Sequence, residues 1–166
     1  MDCRVEVTEV KLASPGVRFP PPLVFVTPFF LSFLLDRRLP FSIVGDGDGP
    51  AWMTTTGTVL LAAGFGLMLW AIVNFSRAKT NLLPFKSAST LVIVPPYTFT
   101  RNPMYLGLTL AYVGGALATN WAWPLVFLPA VVGVTAGYII VREERYLRSA
   151  FGAQYEEYCR DVRRWL

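Results

Sequence analysis

Two short polar clusters in a mostly apolar chain contain the residue types that could bind a charged ligand. Arg101-Asn102-Pro103 precedes a long uncharged stretch, and Glu143-Glu144 follows it. Asn is a good helix N-cap and Pro suits the first helical position, so we expect a helix to begin near Pro103. Free main-chain N–H groups at its positive end would make an anion site beside Arg101. The alternative is that Asn102 only caps the helix and Arg101 extends to lipid headgroups.

The paired glutamates suit a cationic ligand. One carboxylate could turn toward the interior of a helix bundle, where acidic residues usually mark a site. Since neighbouring helical residues point about 100° apart, the two are not expected to face one pocket. The alternative is surface ion pairing with Arg142, Arg145 and Arg148.

Several kinds of chemistry are excluded by composition. The chain has no histidine, so it has no His general base, no His metal ligand and no Ser-His-Asp triad. Cys3 and Cys159 have no metal-ligand spacing, and Asp46 and Asp48 lack the further ligands of a calcium loop. We therefore predict no metal site, and no catalytic residue is assigned.

The elements that must position the two clusters are hydrophobic. Of the 166 residues, 54% are hydrophobic and 16% are charged, whereas soluble domains carry about 25% charged residues. A bilayer span needs about 20 apolar residues. We predict one domain, 1–166, that is an all-α polytopic membrane protein with about four spans, at 19–35, 52–75, 103–120 and 124–141. A cleaved signal peptide is the alternative for 19–35, although that run lacks a small-residue cleavage pattern.

The segments outside the spans are polar, and we expect residues 1–18 to be loosely ordered. The loop 36–51 has Gly-rich turn chemistry, and the loop 76–103 is long enough to be functional. In 142–166, apolar residues recur at three- and four-residue steps, which predicts a C-terminal amphipathic helix. Trp52 suits an interfacial anchor. Small residues in the second span would allow close helix packing: Gly57, Ala62, Ala63, Gly64 and Gly66.

Basic residues predict the orientation. If both termini are cytoplasmic, the loop 76–103 and the arginine-rich tail lie inside, and only Arg37 and Arg38 lie outside. We therefore expect a multi-pass protein with its N-terminus, C-terminus and ligand site on the cytoplasmic side. Its expected partners are the bilayer and a lipophilic molecule, not a nucleic acid. The sequence does not predict an oligomeric state.

The order of the polar motifs resembles that of the isoprenylcysteine carboxyl methyltransferase family of membrane methyltransferases, whose general arrangement phospholipid methyltransferases share. The resemblance covers roughly 79–166. It rests on Ser89-Thr90-Leu91-Val92, Pro96-Tyr97, Arg101-Asn102-Pro103-Met104-Tyr105-Leu106-Gly107 and Glu143-Glu144, followed by Leu147, Phe151-Gly152, Tyr155, Tyr158 and Arg164.

This resemblance implies a methyltransferase that uses S-adenosylmethionine as methyl donor and acts on a lipophilic or lipidated acceptor. The acceptor would be similar to an isoprenylcysteine carboxylate or a phospholipid. By position in the family pattern, the implied donor contacts are Ser89, Thr90, Leu91, Val92, Tyr97, Asn102, Pro103, Met104, Tyr105 and Glu143. The same match implies that Glu144 is the solvated member of the pair. A carboxylate of the donor suits a helix N-terminus, and its sulfonium and ammonium suit a carboxylate and aromatic faces.

The sequence departs from the family pattern at two informative positions. Asn102 stands where many members have His, and Ile139 stands where the family has a substrate-contacting Arg. Two other functions stay open at this point. One is an NADPH-dependent membrane reductase of related helical arrangement, and the other is a non-enzymatic membrane scaffold.

Overall fold

The structure is a computed structural model that describes residues 16–17, 19–77, 91 and 93–165. In this part of the chain all regular elements are helical, which confirms the all-α prediction. The helices are α1 (Leu23–Asp36), α2 (Ala51–Arg77), α3 (Pro103–Thr119), α4 (Trp123–Val134), α5 (Val141–Phe151) and α6 (Ala153–Asp161). A π-helical segment, Thr135–Ile140, joins α4 to α5 without a break.

Two helices in the described residues are long and apolar enough to cross a membrane. These are α2 and the continuous helix Trp123–Phe151. The helices α1 and α3 have 14 and 17 residues, so the predicted four spans include two short ones. α1 begins later than predicted because Pro20 and the two prolines after it form a turn, in which Leu23 N donates to Pro20 O at 3.0 Å.

The closest helix packing is between α2 and α3, which run antiparallel. Gly64 lies so close to α3 that an added Cβ would be 2.5 Å from Ala111 N and from Gly107 O. Gly57 makes the same kind of approach one heptad earlier, against the main chain of Gly114 and Ala118. The prediction of close packing is thus confirmed for Gly57 and Gly64. It is wrong for Ala62, Ala63 and Gly66, which are exposed on the other side of α2 because helical rotation turns them away from the contact.

Asn120 fixes the end of the bundle that is far from the glutamates. It ends α3 in the left-handed conformation, with φ of 57°, which Asn tolerates better than most residues. Its buried side chain accepts from Val44 N at 3.0 Å and donates to Val44 O and Gly47 O, both at 2.9 Å. One amide therefore connects the α1–α2 loop to the α3–α4 turn.

A hydrophobic core joins α1, α3 and the continuous helix, and it extends to the glutamate end of the bundle. Buried Val17 packs in this core with Tyr105, Ile139 and Ile140. The preceding Gly16 accepts a hydrogen bond from Arg142 Nη1 at 3.2 Å. We predicted that residues 1–18 are loosely ordered; residues 1–15 and 18 lie outside the described part, and the described Val17 is firmly packed because its side chain is apolar.

The tail differs from the single amphipathic helix predicted for 142–166. Its first part, α5, continues the preceding helix, and the chain then bends at Gly152, whose φ is +51°. Glycine adopts this backbone conformation without steric cost. After α6 the backbone is extended at Val162. The bend turns Tyr155 and Tyr158 into a small buried cluster with Val162.

Candidate functional site

Glu143 and Tyr105 meet at the inner end of α3. The Tyr105 hydroxyl donates to Glu143 Oε1 at 2.7 Å. Glu143 is half-buried, and no described lysine or arginine forms an ion pair with it. A partly buried carboxylate is stabilised by a cation or by several donors. Glu143 therefore has the surroundings of a group that can bind a cationic ligand.

Tyr97 lies beside this carboxylate with an unused hydroxyl. Its side chain is buried, and its ring packs with Ala71, Phe75 and Met104. The hydroxyl has no hydrogen-bond partner among the described residues. Burial raises the pKa of the Tyr97 hydroxyl, and the nearby Tyr158 and Glu143 raise it further. Tyr97 thus brings a neutral donor and an aromatic face close to Glu143.

Asn102 occupies the N-cap position of α3, as predicted, but its side chain does not cap the helix. The Asn102 amide donates instead to the main-chain oxygen of Arg164 at 2.9 Å. Pro103 follows at the first helical position and has no N–H. The first turn of a helix has N–H groups without intrahelical partners. The start of α3 therefore keeps donors and a positive dipole end that Asn102 does not use.

Glu144 contradicts the prediction that it is the solvated glutamate. It is only 4% exposed, and Arg164 contacts both of its carboxylate oxygens, at 2.9 and 2.6 Å. Arg101 Nη1 lies 3.4 Å from Glu144 Oε1, which also argues against Arg101 extending to lipid. The prediction of surface pairing with nearby arginines is wrong for Glu144 because the fold brings distant arginines to it. Arg148 pairs with Glu156 instead.

The structure therefore brings together six of the ten predicted donor-contact residues. Tyr97, Asn102, Pro103, Met104, Tyr105 and Glu143 lie at or beside the start of α3. Leu91 packs instead against the tyrosine cluster of the tail. Ser89, Thr90 and Val92 lie outside the described residues, as does half of the loop 76–103. The free Cys159 accepts a hydrogen bond from Arg101 Nη1 at 2.7 Å.

The contributions of Thr100, Tyr158 and Arg164 were not predicted as parts of the site. The Tyr158 hydroxyl donates to Tyr97 O at 2.7 Å, and Thr100 Oγ1 donates to Arg164 O at 3.2 Å. These contacts join positions about 60 residues apart, so no local spacing indicates them. The available signal was that Tyr158 and Arg164 belong to the family pattern.

The described helices are apolar, and a partly buried carboxylate lies near an uncapped helix start at one end of the bundle, an arrangement typical of a membrane protein with a candidate polar site at its rim. The sequence profile of the family described as phospholipid methyltransferase matches residues 52–154. The chain belongs to that family, and the resemblance inferred from the motif order is confirmed. The matched range includes both the start of α3 and the two glutamates.

The similar curated proteins include plant and bacterial relatives. Protein-S-isoprenylcysteine O-methyltransferase B of Arabidopsis thaliana is 28% identical over 113 residues, which are 67% of this chain and 57% of the relative. Its A counterpart is 27% identical over the same shares. An uncharacterized protein of Haemophilus influenzae is 38% identical over 69 residues, which cover 38% of this chain and all of the relative. No solved structure matches.

The chain thus spans little more than half the length of the two plant methyltransferases.

Proposed function

We propose that this protein is an integral membrane methyltransferase that transfers a methyl group from S-adenosylmethionine to a lipophilic or lipidated acceptor. The observation that carries the proposal is the pairing of opposite polarities at one place. Glu143 offers a negative charge without a counter-cation among the described residues, and the start of α3 offers uncapped N–H donors. The donor carries both a carboxylate and cationic groups, so its carboxylate suits the start of α3 and its cationic groups suit Glu143.

The chain's residues would act by binding and alignment. The N–H groups of α3 would hold the donor's carboxylate, and Glu143 would attract its positive charge. Tyr97 would supply an aromatic wall and a hydroxyl. Bound donor supplies an electrophilic methyl group on a sulfonium that leaves as a neutral thioether. Methyl transfer then depends mainly on alignment of acceptor and methyl group, which can lower a barrier by about 7–11 kcal/mol.

Membership of the phospholipid methyltransferase family favours this function over the nicotinamide-dependent reductase and over the non-enzymatic scaffold. Both classes of acceptor stay open, an isoprenylcysteine carboxylate or a phospholipid headgroup. Ile139 stands where the family has a substrate-contacting Arg. Its side chain is apolar and fully buried in the core, so it supplies no charged contact to a substrate. The described apolar surface of the bundle favours entry of the acceptor sideways from the lipid.

The proposed topology has four spans in one domain, namely α1, α2, α3 and the helix from Trp123. Both termini and the donor site would be cytoplasmic. The arginines of the tail and Arg101 support this placement, because positively charged residues are retained on the cytoplasmic side. The short α1 and α3 would be completed by the aromatic and polar residues that flank them.

Calorimetry in detergent tests donor binding directly. We expect S-adenosylmethionine and its demethylated product, S-adenosylhomocysteine, each to bind one site, whereas NADPH should give no heat. Replacement of Tyr97 by Ala should weaken donor binding more than Tyr97→Phe, since only the first removes the aromatic wall. The absence of binding of both donor and product, with protein that is still helical, would contradict the proposal.

A further inference from the structure

The end of the chain forms what we call the C-terminal latch, defined as residues 162–164 together with Glu144. Past α6 the extended backbone lies against the residues that precede α3. Arg101 N donates to Arg163 O at 3.0 Å, and Thr100 Oγ1 and Asn102 Nδ2 both donate to Arg164 O, at 3.2 and 2.9 Å. Three donors from one short segment therefore bond to two successive carbonyl groups of the tail.

Glu144 fixes this segment in place. Arg164 donates through Nε and Nη2 to the two Glu144 carboxylate oxygens, which is the bidentate geometry that gives an arginine a defined orientation. These hydrogen bonds raise the pKa of the Arg164 guanidinium. Arg101 adds a second cation at 3.4 Å. Because the Glu144 carboxylate is only 4% exposed, its charge must be balanced by these cations. Removal of either Glu144 or Arg164 would therefore release the tail.

The latch decides what the Asn102 side chain does. An Asn at the N-cap position ordinarily accepts an N–H from the first turn of its helix. Here the Asn102 amide is turned to the Arg164 carbonyl, and α3 has no side-chain cap. A second polar group at the start of α3, the hydroxyl of Tyr97, is also available to a ligand. Tyr97 is 6% exposed, packs against Met104 in the first turn of α3, and has no partner for its hydroxyl among the described residues.

We infer that Glu144 and Arg164 are positioning residues of the donor site, which hold the Asn102 side chain away from α3 and so keep its N-terminal N–H groups open for an anionic group. The inference rests on the proposed function, because the donor's carboxylate is that anionic group. The two neighbouring glutamates then have separate roles. Glu143 faces the ligand, and Glu144 holds the tail that shapes the other end of the site.

The test compares donor binding and steady-state kinetics of two latch variants, Glu144→Gln and Arg164→Gln, with those of the parent. The exposed ion pair between Arg148 and Glu156 supplies the matched control, Arg148→Gln, on the same tail. We expect the latch variants to raise the Kd and the KM for S-adenosylmethionine roughly tenfold, because the released Asn102 side chain can cap α3 and the donor's carboxylate then loses a charge-assisted hydrogen bond to a first-turn N–H group. The KM for the acceptor should stay at its parental value, and the control should match the parent.

A second variant keeps the test decisive if a latch variant fails to fold. Asn102→Asp can cap α3 itself but cannot donate to the Arg164 carbonyl, so it fills the N-terminus that the latch keeps open. We expect the thermal midpoint of the ligand-free protein to be maintained, while donor affinity falls about tenfold or more because the new carboxylate repels that of the donor. If the latch only stabilised the fold, the variants would have a lower thermal midpoint, and their KM values for donor and acceptor would change together.

The outcomes separate the two proposals. If the parent binds neither donor nor product, the proposed function fails and this inference fails with it. If the parent binds the donor, and the folded latch variants and Asn102→Asp bind it as tightly as the parent, the proposed function stands and the latch inference is overturned.

Discussion

Two neighbouring glutamates have opposite surroundings, and this difference decides which of them can meet a ligand. Glu144 has both carboxylate oxygens occupied by guanidinium groups, so its charge is already compensated. Glu143 receives one hydroxyl, from Tyr105, and no ion pair from the described residues. The position of one side chain relative to the next, about 100° around a helix, is enough to give them different partners.

Glu143→Gln keeps the size of the side chain and removes its charge. Because hydrogen bonds to charged groups contribute about 1.5–3 kcal/mol, we expect affinity for S-adenosylmethionine to fall by roughly tenfold to a hundredfold. Titration with the demethylated product shows which cation Glu143 contacts. If only the affinity for S-adenosylmethionine falls, Glu143 faces the sulfonium; if both affinities fall, it faces the ammonium group that both molecules carry.

The exposed Glu156→Gln, in the same tail, is the control for removal of a negative charge at a distance from the site. It should bind the donor as the parent does. A Glu143→Gln protein with undiminished affinity for both donor and product would show that Glu143 does not contact either molecule.

At the scale of the elements, the site depends on how closely α2 approaches α3, since α2 carries Ala71 and Phe75, which pack against Tyr97. The glycines in the contact allow the two backbones to meet, and small residues at membrane helix contacts commonly do so. Gly64 faces the main chain of α3, whereas an added Cβ at Gly66 would have nothing within 4 Å. The two positions lie in one helix and differ only in what they face.

Gly64→Ala and Gly66→Ala therefore make a matched pair. We expect Gly64→Ala to lower stability by about 1–3 kcal/mol, because its methyl group meets backbone that cannot move aside locally. Gly66→Ala should be neutral or stabilise by up to about 1 kcal/mol through helix propensity. Thermal unfolding midpoints in one detergent measure both. Equal midpoints for the two variants would contradict the observed helix contact.

The sequence was informative where a signal is local. Uncharged stretches predicted the long apolar helices, and α3 begins at Pro103, near which the Asn-Pro pair predicted a helix start. The sequence did not predict which small residues of α2 face α3 and which are exposed, because composition does not show which side of a helix is buried. The surroundings of Glu144 were missed for a related reason. Its partner Arg164 is 20 residues away and reaches it only after the bend at Gly152.

At the scale of the whole molecule, charge is distributed unevenly between the two ends of the bundle. The glutamate end carries Arg101 and the arginines of the tail, and the loop clamped by Asn120 carries two arginines, Arg37 and Arg38, balanced by Asp46 and Asp48. Since basic residues are retained on the cytoplasmic side, this asymmetry supports one orientation of all the spans. In that proposed orientation, the donor site would lie where a water-soluble donor is available.

Topology can be measured with two exposed positions at opposite ends. In a chain with Cys3→Ser and Cys159→Ser, we expect an impermeant maleimide to label Asp46→Cys from outside intact cells. Glu157→Cys should be labelled only in inverted vesicles. Both positions are exposed, so access depends on the membrane side and not on burial. Labelling of both positions from the same side would contradict the three spans proposed between them and the proposed placement of the tail.

The central claim, methyl transfer at the rim of the bundle, is tested most directly by following a labelled methyl group. Purified protein in vesicles should transfer the label from S-adenosylmethionine to one of two supplied acceptors, a phospholipid with an amine headgroup or an isoprenylated cysteine with a free carboxylate. The account predicts labelled product from the parent, and a fall in rate of about tenfold or more with Glu143→Gln at limiting donor. Label in neither acceptor, from folded protein with donor bound, would contradict it.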